Sequence, residues 1–141
     1  MTTFHFEDHK PFEIESTKYN QKISYLIDNE GFIKKDITIV LCSDSHLLNM
    51  NKEHLNHDYF TDIITFSYNT KNQISGDLFI SVDRIKENAE RFNVSFDKEL
   101  ERVIYHGVLH LCGYNDKTDI EIQKMREKEK YYLDYNVSRE T

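Results

Sequence analysis

The 141-residue chain has one proline, two cysteines and no apolar run near the roughly 20 residues that a membrane-spanning helix needs. Two cysteines make no disulfide framework, and in a reducing compartment Cys42 and Cys112 stay thiols. Cys42 ends an apolar strand pattern and reads as core. Cys112, placed on a helix, points well away from His106 and His110 and is a poor ligand. The opening stretch MTTFHFEDHKPFEIES lacks the basic and apolar regions of a signal peptide, so a bacterial-type cytoplasmic chain with no membrane partner is the expectation. Repeats, linkers and low-complexity segments are missing too. A single domain over residues 1–141 is expected, with the polar tail NVSRET at 136–141 frayed.

An excess of basic residues is also absent. Lys and Arg number 18 against 25 Asp and Glu, for a net charge of −7. Phosphate binding normally leaves a basic footprint, so an RNA partner requires a local surface or one completed by another molecule. Lysines in KEKYY and RIKENAERF are interspersed with acids, as on solvated helix faces. What is present is globular: 38% hydrophobic and 13% aromatic residues argue against general disorder.

Periodicity predicts an α+β fold. FHF near the start alternates as a short edge strand. Ile23, Leu26 and Ile27 have helical spacing within residues 17–30, and Gly31 offers a stop. DITIVLC (36–42) is β-branched and nearly continuous, hence a buried strand, and 44–55 reads as a short helix. TDIITFSY (61–68) and GDLFISV (76–82), separated by the polar NTKNQIS, form an antiparallel hairpin. Residues 83–92 form a helix with Ile85, Ala89 and Phe92 inward and Asn93 as its stop. The helix from about 96 to 112 carries Leu100, Val103, Ile104, Gly107, Val108 and Leu111 as one apolar stripe, with Leu109 on the far side. A helix apolar on two sides is expected to be central.

At about 100° per residue, His106 and His110 lie beside each other at the edge of that stripe. An i,i+4 histidine pair suits one metal ion; alone it is equally a pair of hydrogen-bonded histidines. Gly113, three residues on, can take the left-handed conformation that reverses the chain over the helix end and returns Asp116 towards the imidazoles. Asp116 also reads as a turn or capping residue. However, Thr118 with Glu121 already fits a capping box, which leaves Asp116 free. His106, His110 and Asp116 then form a tripod with an open fourth position, the catalytic type of zinc site. HExxH peptidases keep a glutamate as general base where Gly107 stands here, and glycine takes no proton.

HGVLHLCGYND (106–116) resembles the signature of the YbeY family of metal-dependent rRNA-maturation endoribonucleases, whose pattern runs His-Gly-x-Leu-His-Leu-x-Gly-Tyr and then Asp-His. LNHDYFTDIITF resembles that family's LN…TDVLSF segment, and GDLFIS its GD-(I/V/L)-x-I-S strand. Met125 stands where the family keeps a methionine, although it reads equally well as a core residue of the last helix beside Ile122 and Leu133. The resemblance implies a zincin-like α+β fold with a mixed sheet of about four strands, about five helices and the ligand helix at the centre. It maps the family's three ligands onto His106, His110 and Asp116, holding one Zn2+ that is also the catalytic centre through its bound water. It implies cleavage of single-stranded rRNA in small-subunit 3′-end maturation and ribosome quality control, with the small ribosomal subunit and its assembly factors as partners.

Two positions depart from the family pattern. The third ligand is Asp116 rather than histidine, which lowers the site's charge by one unit and leaves bound water less acidic. The family's arginine before TDVLSF is missing, since only Phe60 stands between Tyr59 and Thr61. Lys52, His54, His57 and Lys117 are the substitutes on offer for the cation that helps phosphodiester cleavage. No residue identifies itself as a general base. The competing readings are a small zinc peptidase-like hydrolase and a non-catalytic ribosome assembly factor with a structural metal.

Overall fold

A computed structural model describes residues 1–57 and 61–135. The frayed tail expected at 136–141 and the site of the missing arginine at 58–60 lie outside the described residues. The elements run β1 (Thr2–Phe6), α1 (Ser16–Asn29), β2 (Ile33–Cys42), α2 (Asp44–Leu55), β3 (Ile63–Ser67), β4 (Gln73–Ser81), α3 (Val82–Phe92), α4 (Phe96–Leu111) and α5 (Asp119–Asp134). This is the α+β fold expected, with four strands and five helices among the described residues.

Helix starts follow side-chain chemistry. Ser43, Ser81 and Ser95 each accept the N–H three residues on, and Thr118 with Glu121 completes the capping box read from the sequence. Helix ends use left-handed residues: Asn56 and Asn93 both have φ of 56°, Gly31 has 88° and Gly113 has 103°.

The strand order is β1-β2-β4-β3. β1, β2 and β4 run parallel, and β3 returns antiparallel along β4 as the second edge. β2 begins at Ile33, earlier than its apolar run, and an irregularity between Lys34 and Ile37 shifts its pairing with β4. β4 likewise starts in the polar stretch at Gln73, because Ile74 is buried opposite Lys34. Phe92, expected inward, is half exposed at the end of α3.

One face of the sheet carries Ile37, Ile39, Leu41, Leu78 and Ile80 against α1 and α4. The other face buries Cys42 and Ile64 under Leu47 of α2, and the Cys42 thiol donates to the Ile80 carbonyl. α4 is apolar on both sides, with Leu109 as fully buried as Val108, so it is the central helix. Burying each such aliphatic side chain contributes about 1.5–3 kcal/mol.

Two glycines set the approach of α4 to the sheet. A Cβ on Gly107 would meet Ile63 Cδ1 at 2.6 Å and Leu78 Cδ2 at 3.0 Å. One on Gly76 would meet the Phe66 backbone carbonyl at 2.5 Å and Leu111 Cδ2 at 2.9 Å. Side-chain ends can swing aside, whereas a strand carbonyl cannot. Gly76→Ala is therefore expected to cost more stability than Gly107→Ala, about 2 kcal/mol or more. Urea unfolding of the two variants checks this, and the reverse ranking would refute the close-packing account.

Candidate metal centre

α4 presents His106 and His110 one turn apart, and the Gly113 turn folds the following loop back to bring Asp116 beside them. His106 Nε2 lies 3.0 Å from His110 Nε2. Asp116 Oδ2 lies 3.2 Å from the first and 3.4 Å from the second. A tetrahedral zinc ion with ligands at about 2.0–2.1 Å places them about 3.3 Å apart, so the triangle has the size such an ion needs. Among the described residues no other group of three His, Cys, Asp or Glu side chains converges in this way.

The outer nitrogens explain why the inner ones fit a cation. His106 Nδ1 is 2.6 Å from Glu129 Oε2, and His110 Nδ1 is 2.8 Å from the Tyr114 carbonyl oxygen. A carboxylate and a carbonyl only accept, so both Nδ1 atoms carry the proton. Both Nε2 atoms then face each other, and the Asp116 oxygen, as lone pairs. Three converging acceptors repel unless a proton or a metal ion sits among them. The donor set of two imidazoles and a carboxylate suits zinc.

Each support is itself held. Glu129 is buried, and burial alone would push its carboxyl up. The His106 N–H and the Arg102 guanidinium outweigh that and hold it below the usual carboxylate range. Arg102 donates to Glu129 at 2.9 Å and forks onto buried Glu99 at 2.8 and 3.0 Å. Burial disfavours the charged form of Arg102, but these partners outweigh it and hold the guanidinium pKa above its ordinary value. On the His110 side, Tyr114 donates through its hydroxyl to Glu30 at 2.6 Å. Lys128 and the Tyr132 hydroxyl also donate to Glu30. Burial would raise Glu30, but these donors keep it below its ordinary value.

The triangle opens into a cleft of about 500 Å³ between α2, β3 and α4. The His106, His110 and Asp116 side chains are 20%, 27% and 40% exposed, so solvent and ligands reach them. Asp62 lines the same cleft; burial raises its carboxyl, with the neighbouring His106 ring and the Arg102 guanidinium opposing. On the other side, a cavity of about 190 Å³ is lined by Met125 with His106, Asp116 and Glu129, so buried Met125 sits beneath the site.

Of the four substitute cations, His57 and Lys117 line the cleft. His54 instead packs edge-on to Phe66, and Lys52 lies on the exposed side of α2. Cys112 is not part of the triangle, as its helical position implied. Sequence reasoning missed Arg102, Glu129, Glu30 and Asp62. Arg102 had a usable signal, standing four residues before His106 on the same helix face. Glu129 sits in a charged run and had none.

A model of the family described as Endoribonuclease YbeY matches residues 4–136. The Endoribonuclease YbeY of Flavobacterium johnsoniae is 44% identical over 129 residues, 92% of each chain. That of Parabacteroides distasonis is 53% identical over 94 residues, 67% of this chain and 66% of the relative. The solution structure of TM1509 from Thermotoga maritima superimposes with a TM-score of 0.63 at 27% identity, covering 94% of this chain and 87% of that one.

Glu129→Gln is expected to weaken zinc affinity by about tenfold or more, because His106 loses the charged acceptor that fixes its Nδ1 proton. Competition with a chromogenic chelator measures this, and an affinity equal to wild type would remove Glu129 from the site's design. Glu30 makes a second prediction. Since folding lowers its pKa, the stability it contributes is complete above its unfolded value of about 4.5 and is lost as pH falls through the folded value. Melting temperatures taken downward from pH 5 should fall more steeply in wild type than in Glu30→Gln. Parallel curves would show that the carboxyl contributes no such stability.

Proposed function

The chain belongs to the YbeY family of endoribonucleases, and from that membership we propose that it is a zinc-dependent hydrolase cutting single-stranded rRNA during maturation of the small-subunit 3′ end. The observation that carries the metal-dependent reading is the convergence of two imidazole lone pairs and a carboxylate oxygen at 3.0–3.4 Å on an open cleft. We read residues 1–141 as one hydrolase domain, working in the cytoplasm on the small ribosomal subunit, alongside its assembly factors, and in ribosome quality control. Both cysteines are free thiols, in keeping with a reducing compartment, and no helix among the described residues is long and apolar enough to cross a membrane.

His106, His110 and Asp116 would hold one zinc ion, which supplies Lewis acidity to the reacting phosphate and its nucleophile. His106 and His110 keep their protons at Nδ1 and aim Nε2 inward. Glu129 and the Tyr114 carbonyl hold the two rings in that orientation. Asp116 contributes a negative charge where a third histidine would be neutral. Lys117, next to it on the cleft, is placed to attract a phosphate.

The peptidase reading loses support from Gly107, which packs on Ile63 and Leu78 and offers no group to accept a proton. A purely structural metal loses support from exposure, since structural zinc sites are closed by four protein ligands.

His110→Ala is expected to lose the single bound zinc. Cleavage of a single-stranded rRNA 3′-end substrate should drop roughly a hundredfold or more, the scale of several kcal/mol of lost stabilisation. Elemental analysis and gel assays measure the two. A variant that keeps both metal and cleavage would overturn the reading.

A further inference from the structure

The second wall of the cleft is a strand edge. In the β3–β4 pairing, the Ser81 N–H donates to the Asp62 carbonyl at 3.0 Å and the Tyr68 N–H to the Ser75 carbonyl at 2.8 Å. Antiparallel ladders alternate, so positions 62, 64, 66 and 68 turn their backbone groups towards β4. Ile63, Thr65 and Ser67 therefore aim their N–H and C=O groups away from the sheet. β3 is the last strand in the order, and among the described residues no strand or loop backbone pairs with that side. These three residues line the cleft that also holds His106 and His110. One outward acceptor is already engaged, because the Thr61 hydroxyl donates to the Ile63 carbonyl at 3.4 Å.

We propose that this edge seats the sugar-phosphate backbone of single-stranded RNA. The N–H groups of Ile63, Thr65 and Ser67 donate to successive phosphates, and the Thr65 carbonyl accepts from a ribose 2′-hydroxyl. The proposal deepens the endoribonuclease reading and rests on it. Outward amides two residues apart are spaced about 6.7 Å along a strand, a step that matches the advance per nucleotide of an extended chain. Backbone N–H groups are ordinary phosphate donors. They carry no formal charge, so they let a chain of net charge −7 hold phosphates without a basic patch. The outward carbonyl needs a donor, which RNA has in its 2′-hydroxyl and DNA lacks. Because edge and triangle share one cleft, a strand seated on β3 is led past His106, His110 and Asp116. An extended peptide would use the same groups and is the competing occupant.

The test is fluorescence anisotropy of the full-length protein, in EDTA so that no cleavage intrudes, with labelled ten-residue oligouridylate and oligodeoxyuridylate. Wild type is expected to bind the ribo-oligomer about three- to tenfold more tightly, the scale of one hydrogen bond. Its affinity should fall only shallowly with salt, since a strand held by amides releases few counterions. Thr65→Pro removes an outward N–H without touching the β4 ladder and should weaken RNA binding by a similar factor, about three- to tenfold, with cooperative melting retained.

Equal binding of the two oligomers by wild type would overturn the proposal, whatever the variants do. So would an equal loss in Thr65→Val, which keeps the N–H and removes the hydroxyl, or tight binding of an extended peptide with none of RNA. If RNA binds as expected but no zinc-loaded sample cleaves it, the edge stands and the nuclease reading falls. If cleavage occurs while folded Thr65→Pro binds RNA like wild type, the edge falls and the nuclease reading stands.

Discussion

Three lone pairs brought within 3.0–3.4 Å of one another are the constraint around which this molecule is built. Two imidazole Nε2 atoms and a carboxylate oxygen repel at that distance, so the arrangement has the form of a socket that a cation can fill. It is sustained from behind. A buried carboxylate and a main-chain carbonyl take the protons of the two outer nitrogens and thereby decide which nitrogens face inward.

The remainder of the fold holds those two acceptors still. Glu129 comes from α5, while the Arg102 that pairs with it and the Glu99 behind it come from α4, so the ionic cluster ties the two helices together beside the site. The Tyr114 carbonyl is fixed from α1 and α5, through Glu30, Lys128 and Tyr132. The Gly113 turn makes the reversal that brings Asp116 back over the last turn of α4. Placement of the triangle and core packing are thus one problem. Gly107 and Gly76 let α4 lie close on β3 and β4, and that closeness brings His106 and His110 to the mouth of the cleft.

Charge is distributed to the same end. The chain is acidic overall, and its carboxylates near the site are either paired with Arg102, Lys128 and the tyrosines or used in the triangle. An RNA strand meeting this surface finds local donors rather than a basic field: Lys117 and the amide edge of β3. Asp116 continues the pattern, adding a compact anionic oxygen beside the two imidazoles.

Much of this was legible in residue order. Spacing alone put His106 and His110 on one face, the left-handed preference of glycine brought Asp116 back, and the Thr118–Glu121 box freed that aspartate from capping. Strand and helix positions followed from apolar periodicity, and the two-sided apolar pattern marked α4 as central. Where the outline failed, packing overrode local pattern. Ile74 is drawn into the core from a polar stretch and lengthens β4, while Phe92 sits at a frayable helix end and stays half exposed. The carboxylates that hold the site from behind were invisible because they are long-range: Glu129 lies 23 residues from His106, and Glu30, which accepts from the Tyr114 hydroxyl, lies 84 from Tyr114. The sequence by itself determined which three side chains meet at the triangle, since that depends on helical pitch and one turn. Only the tertiary structure decided which proton sits on which nitrogen and which strand edge the cleft presents, because both depend on groups brought together by packing across the sheet.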